Sequence, residues 1–218
     1  MGALEYGRRA AKSGNTKNLV VFLHGYGANG ADLLGLADPL GEHLPDTVFL
    51  APDAPEPCTG NPMGFQWFPI PWLDGSSEEM ARDSMRVSVD ALNIWLDKMI
   101  DKEGVTPAQT ILFGFSQGTM MSLELGPARD IAFAGIVGFS GRLLDPGALK
   151  SAQSKPPVLL VHGDQDPMVP HASMQEAAEA LAAAGVTVRT HTSPGTGHGI
   201  APDGLSMALQ FITDVLPG

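Results

Sequence analysis

One cysteine, Cys58, is all the thiol in this chain of 218 residues. No intramolecular disulfide can form, so the fold must stand on its core. Basic residues are scarce: 13 Lys and Arg face 24 Asp and Glu, a formal net charge of −11. Nucleic acid and anionic membrane surfaces need a basic face, and neither is expected as a main partner. No stretch approaches the roughly 18 apolar residues of a membrane span, so no stable membrane insertion is expected. Met1–Ser13 has neither an apolar run of signal-peptide length nor a cleavage pattern, which points to a cytoplasmic protein. The six histidines are scattered, with no H-x-x-x-H or H-x-H spacing, so no metal site is expected. Internal repeats and linkers are missing too, and the expectation is a single domain over 1–218.

Hydrophobic residues make up 44% and charged residues 17%, ordinary for a globular chain. Apolar runs of strand length alternate with helix-like segments. The strand-like runs are Leu19–Leu23, Thr47–Leu50, Thr110–Phe113, Phe133–Gly138, Val158–Gly163 and Val186–Thr190, with Leu4–Ala10 as an edge strand. Helices are expected over Ala31–Glu42, Ser77–Ile100, Thr119–Leu125, His171–Ala184 and Asp203–Val215. In the long helix, Ser76 or Ser77 can cap the N-terminus, and Val87, Ala91, Trp95 and Met99 form a four-spaced apolar row with Met80, Leu92 and Ile94 beside it. Pro52–Gly75 reads as a long loop. This alternation predicts an α/β fold with a mostly parallel, doubly wound sheet.

Gly114-Phe115-Ser116-Gln117-Gly118 is a G-x-S-x-G motif between a strand and a helix, the context of a nucleophile elbow. The glycines are needed because a Cβ would collide with the neighbouring strand and helix. A serine hydroxyl becomes a nucleophile only beside a base. An acid and a histidine do follow, in the order Ser, Asp, His: Asp166 after the Val158–Gly163 strand, then His198 in a Gly-rich loop. Ser116 is read as nucleophile, His198 as general base then acid, and Asp166 as the group that orients the imidazole. Asp164 competes with Asp166, although its place directly after Gly163 suits a turn residue bonding its own backbone. His24 and His162 read as buried structural histidines. Gly138-Phe139-Ser140-Gly141-Arg142 is a decoy, since Arg142 stands where glycine is needed; Ser140 reads as a strand-end residue lining the site.

With these motifs in place, the chain resembles the small carboxylesterase/phospholipase family of α/β-hydrolases, which includes bacterial carboxylesterases and acyl-protein thioesterases. The matching segments are Leu23-His24-Gly25-Tyr26-Gly27, Gly114–Gly118, His162-Gly163-Asp164-x-Asp166-x-x-Val169-Pro170 and Gly197-His198-Gly199. The resemblance implies a single-domain α/β-hydrolase. It implies hydrolysis of carboxylic esters without a cofactor, with thioesters or lysophospholipids as alternative substrates. It favours Asp166 over Asp164, and it puts the oxyanion hole at the backbone N–H groups of Gln117 and Tyr26. Gln117 also stands at a helix start, where N–H groups point outward. The aromatic stretch Phe65–Trp72, Trp67 and Phe68 above all, is the expected substrate wall. Gly141–Pro156 is too short for a cap domain, so an open groove suited to small esters is expected, and a homodimer is left open.

Overall fold

Every residue of Leu19–Leu23, Ile111–Phe113 and Val158–Gly163 is buried, and the continuity of these apolar runs has a simple cause. Their strands are covered on both faces, so neither side can be polar. The computed structural model describes residues 4–217. In chain order the elements are β1 (Tyr6–Arg9), β2 (Asn18–Leu23), α1 (Gly30–Leu34), α2 (Ala37–His43), β3 (Thr47–Pro52), β4 (Glu56–Cys58), β5 (Asn61–Gln66), α3 (Pro71–Asp74), α4 (Glu78–Glu103), β6 (Thr110–Phe115), α5 (Gln117–Ala128), β7 (Gly135–Phe139), β8 (Val158–Gly163), α6 (Ala172–Ala183), β9 (Val188–Ser193) and α7 (Pro202–Val215).

Seven strands form one sheet in the order β1-β3-β2-β6-β7-β8-β9, with only β1 antiparallel. Alternate residues feed two cores. Leu19, Val21 and Leu23 pack toward α4, α5 and α6, while Val20 and Phe22 pack toward α1, α2 and α7. The chain turns from β2 to β3 on one side, then returns to β6 on the other, so the order reverses between β2 and β6. Open α/β sheets bind ligands at such a switch point, beyond the carboxyl ends of the strands. The Leu23↔Gly114 pairing sets His24-Gly25 beside Phe115-Ser116 there.

Several sequence expectations need correction. Ala31–Glu42 is two short helices, not one; the break falls at Gly35, a poor helix former. Pro52–Gly75 is not a plain loop. It folds into the β4–β5 hairpin and the single turn α3. Phe65 exchanges backbone hydrogen bonds with Gly27 (2.9 Å) and Ala28 (2.7 Å), so the hairpin pairs with the loop after β2. A Cβ on Gly64 would lie 2.0 Å from the Gly27 carbonyl oxygen, which is why glycine is needed at that crossing. α5 does not stop at Gly126-Pro127 but runs to Ala128, with Pro127 inside its last turn.

α4 starts as read, with Ser77 Oγ accepting the Met80 N–H (3.1 Å). Its buried face differs from the expected row: it runs through Ala81, Ser88, Leu92, Trp95, Leu96, Met99 and Ile100. Val87 is 42% and Ile94 71% exposed. A strict four-residue step overshoots the 3.6-residue turn, so the row drifts off the face that carries Trp95 and Met99.

Candidate active site

Ser116 caps the turn from β6 to α5 with φ 53° and ψ −113°. It is one of two non-glycine residues with positive φ among the described residues; the other is Ser140 at the end of the adjacent β7. A backbone held there is strained and has to be enforced by its surroundings. The Ser116 N–H donates to the Phe139 carbonyl (2.8 Å). A Cβ on Gly118 would lie 1.9 Å from the Leu23 carbonyl oxygen, and one on Gly114 2.4 Å from the Thr119 nitrogen. Both glycines of the motif are therefore dictated by packing, and the tight turn is what lifts the serine off the sheet.

Three elements then converge. His198 Nε2 lies 3.0 Å from Ser116 Oγ, and its Nδ1 lies 2.8 Å from Asp166 Oδ2. Asp166 Oδ1 accepts the N–H groups of Met168 (2.8 Å) and Val169 (3.0 Å). Burial alone would raise the Asp166 carboxyl, but donation from Val169, His198 and Met168 outweighs it and holds the group below the usual carboxylate range. The competitor, Asp164, is not bonded to its own turn as expected. Its Oδ1 accepts the Gly195 N–H at 2.7 Å, tying the loop that carries His198 to the end of β8.

The N–H groups of Tyr26 and Gln117 donate to no protein acceptor among the described residues. They flank the point where a Cβ on Gly25 would come within 3.2 Å of the Ser116 Cβ. Both polar atoms of the Gln117 side chain are bonded: Oε1 accepts the Trp67 N–H (2.8 Å) and Nε2 donates to the Phe68 carbonyl (2.7 Å). The Tyr26 hydroxyl donates to Asp74 Oδ2 (3.3 Å) at the end of α3.

Trp67 does not form an accessible wall. It is 0% exposed, and its indole N–H donates to the His24 carbonyl (3.0 Å). It is a core residue, buried because both of its N–H groups find partners inside. Trp67→Ala should therefore cost about 3–5 kcal/mol of stability without changing the ratio of rates on long and short esters. Thermal melts and that ratio check this; a shifted ratio at unchanged melting temperature would restore Trp67 to the substrate wall. Ser140 is 1% exposed and offers a substrate no surface in this arrangement, contrary to expectation.

Phe68 does line a cavity of about 560 Å³, with Ile70, Met85, Val89 and Met120 among its other walls. Sequence reading missed the helical share of this wall, since Met85, Val89 and Met120 look like ordinary core positions of α4 and α5. Met120 follows Ser116 by one turn, and its N–H donates to the Ser116 carbonyl (3.2 Å). Ser116 is not itself among the cavity's walls; Met120, one turn further along α5, is the link between them.

His24 is structural, as read. Its Nδ1 bonds the Gly25 carbonyl (2.8 Å), and its Nε2 accepts the Ala54 N–H (2.9 Å), which fixes a neutral tautomer. Burial pushes the pKa values of His24 and His162 down. Their folded pKa values lie below the unfolded value of about 6.5. The unfolded chain thus takes up protons first, so stability is full above that pH and declines as pH falls through it. Melting temperatures should fall between pH 8 and pH 5.5; equal values would contradict the neutral buried imidazoles.

No cluster of three or more His, Cys, Asp or Glu side chains suited to a metal occurs among the described residues. No helix among them is long and apolar enough to cross a membrane.

Comparison with known proteins identifies the family. The profile of a family described as Phospholipase/Carboxylesterase matches residues 7–216. Acyl-protein thioesterase 1 of Gibberella zeae is 30% identical over 212 residues, covering 91% of this chain and 90% of that protein. Esterase YpfH of Escherichia coli is 27% identical, covering 92% and 84%. The crystal structure of esterase PE8 superposes with a TM-score of 0.93 at 40% identity, over 99% of this chain and all of that one.

Proposed function

This chain belongs to the phospholipase/carboxylesterase family and is an ester hydrolase, and from that premise we propose that it is a serine carboxylesterase working through an acyl-enzyme on Ser116. The observation that carries the reading is the unbroken Ser116–His198–Asp166 chain at 3.0 and 2.8 Å. Ser116 Oγ attacks the ester carbonyl while His198 Nε2 takes its proton. Asp166 receives the Nδ1–H, which fixes the tautomer and stabilises the imidazolium. The free N–H groups of Gln117 and Tyr26 take the oxyanion, each worth on the order of 3 kcal/mol in the transition state. The imidazolium gives its proton to the departing alcohol. His198 then deprotonates a water that attacks the acyl-enzyme, the acyl C–Oγ bond breaks to release the acid, and His198 returns the proton to Ser116 Oγ. No step calls for a cofactor.

The acyl chain lies in the cavity beside Ser116. About 560 Å³ of mostly apolar space suits short to medium chains. Val89→Trp, which fills that space from α4, should lower kcat/KM for an octanoate-sized p-nitrophenyl ester by roughly 5- to 150-fold, about 1–3 kcal/mol, and spare the acetate. An unchanged octanoate-to-acetate ratio would place the acyl chain elsewhere. The relatives named acyl-protein thioesterase favour a second reading, hydrolysis of thioesters on the same triad. Paired oxygen and sulfur esters of one acyl chain decide between them by kcat/KM. A net charge of −11 argues against a polyanionic partner for this activity.

A further inference from the structure

We infer that Glu124 is a specificity-determining residue: its side chain closes the far end of the acyl cavity and sets the longest acyl chain the enzyme accepts. The inference rests on the reading above that the acyl chain lies in that cavity. Two cavities share Glu124 as a wall. The first, of about 560 Å³, also has Met120 of α5 among its walls. The second, of about 350 Å³, is lined by Leu123, Pro127, Leu143 and Leu149 among others, a surface suited to more of the same alkyl chain. Only Glu124 and Asp145 belong to both. Asp145 is held by its own turn, where Oδ1 accepts the Gly147 N–H (2.8 Å) and caps Pro146–Ser151. Glu124 has no such tie. Burial first and the Asp145 carboxylate second push its carboxyl up, and no hydrogen bond or cation offsets them. The carboxyl therefore takes its neutral form readily when an apolar chain end covers it.

The helix supplies a ruler. Ser116 caps α5, and Met120 and Glu124 follow it at four-residue steps. Eight residues at a rise of 1.5 Å set Glu124 about 12 Å along the helix from the serine. Helical side chains lean back toward the N-terminus, so the carboxyl stands somewhat nearer than its backbone. With carbon–carbon bonds of about 1.5 Å laid in a zigzag, roughly eight to ten carbons span that length. A chain of that size ends against Glu124. A longer one needs the second cavity, and the side chain stands in its way.

The test is kcat/KM on p-nitrophenyl esters from acetate to palmitate, each kept below its micelle concentration. Wild type should hold its rate through octanoate and decanoate and lose it from dodecanoate on. Glu124→Ala joins the two spaces and should raise the tetradecanoate-to-octanoate ratio roughly tenfold or more. Glu124→Gln keeps the length of the wall and should stay within about twofold of the wild-type ratio. Each ratio is taken within one variant, so a smaller folded fraction cancels. An Ala variant with the wild-type ratio would overturn the inference. So would a Gln variant that gains as much as Ala, because charge rather than size would then set the limit, and so would a wild type that shows no fall on long chains. Failure of the underlying reading looks different: Val89→Trp would leave the octanoate-to-acetate ratio unmoved. If Val89→Trp moves that ratio while Glu124→Ala does not extend the range, the chain enters the cavity but is stopped by another wall, and only the role of Glu124 is lost.

Discussion

Ser116→Ala should abolish labelling by a fluorophosphonate and cut ester turnover by roughly 10⁴–10⁶-fold, because the three triad groups act as one unit. What remains is the contribution of the oxyanion donors and of substrate binding. The fold should survive, since the Ser116 hydroxyl bonds nothing but His198, and the turn is enforced by Gly114, Gly118 and the Phe139 carbonyl. Ser140 is the control. It shares the positive φ of Ser116 but is buried, and its hydroxyl has no protein partner among the described residues. Ser140→Ala should label like wild type. Labelling that persists in Ser116→Ala and disappears in Ser140→Ala would move the nucleophile to the neighbouring strand.

Asp166→Asn should lower kcat by about 10⁴-fold with the fold intact. The asparagine can present its amide nitrogen toward His198 Nδ1, and the imidazole then settles in the tautomer that cannot accept the serine proton. Asp164 makes the contrast. Its side chain makes one hydrogen bond among the described residues, accepting the Gly195 N–H. Asp164→Ala should loosen the His198 loop and lower the melting temperature, with a much smaller loss in kcat. An inactive Asp164→Ala protein with an unchanged melt would exchange the two assignments.

The difference between what could and could not be read from the sequence is physical. Gly114–Gly118 is legible because its chemistry is local: a serine between two glycines, after an apolar run and before a helix, has few structural alternatives. Asp166 and His198 are legible because each follows the carboxyl end of a parallel strand, β8 and β9, on the same edge of the sheet as Ser116 after β6. The aromatic stretch is different. An indole in a Pro/Gly-rich segment looks exposed until one knows that the His24 carbonyl and the Gln117 side chain, 43 and 50 residues away in the chain, receive its N–H groups. The cavity was illegible for the opposite reason. Met85, Val89 and Met120 sit at ordinary apolar helix positions, and spacing alone does not separate a residue packed on the core from one facing a void. The β4–β5 hairpin was hidden by its prolines and glycines, which read as loop until Phe65 is seen paired with Gly27 and Ala28.

Gln117 joins two properties that a protein engineer would want to adjust separately. Its backbone N–H is the proposed oxyanion donor, and its side chain clamps Trp67 and Phe68, the latter a wall of the cavity. A library aimed at residues 67–68 to alter chain-length preference will therefore also disturb the group beside the reacting carbonyl, and gains in selectivity will come with losses in speed. Met85 and Val89 line the same cavity from α4 and make no side-chain hydrogen bond to that clamp. Randomising those two positions is the route by which preference can be retuned while turnover stays near its starting value.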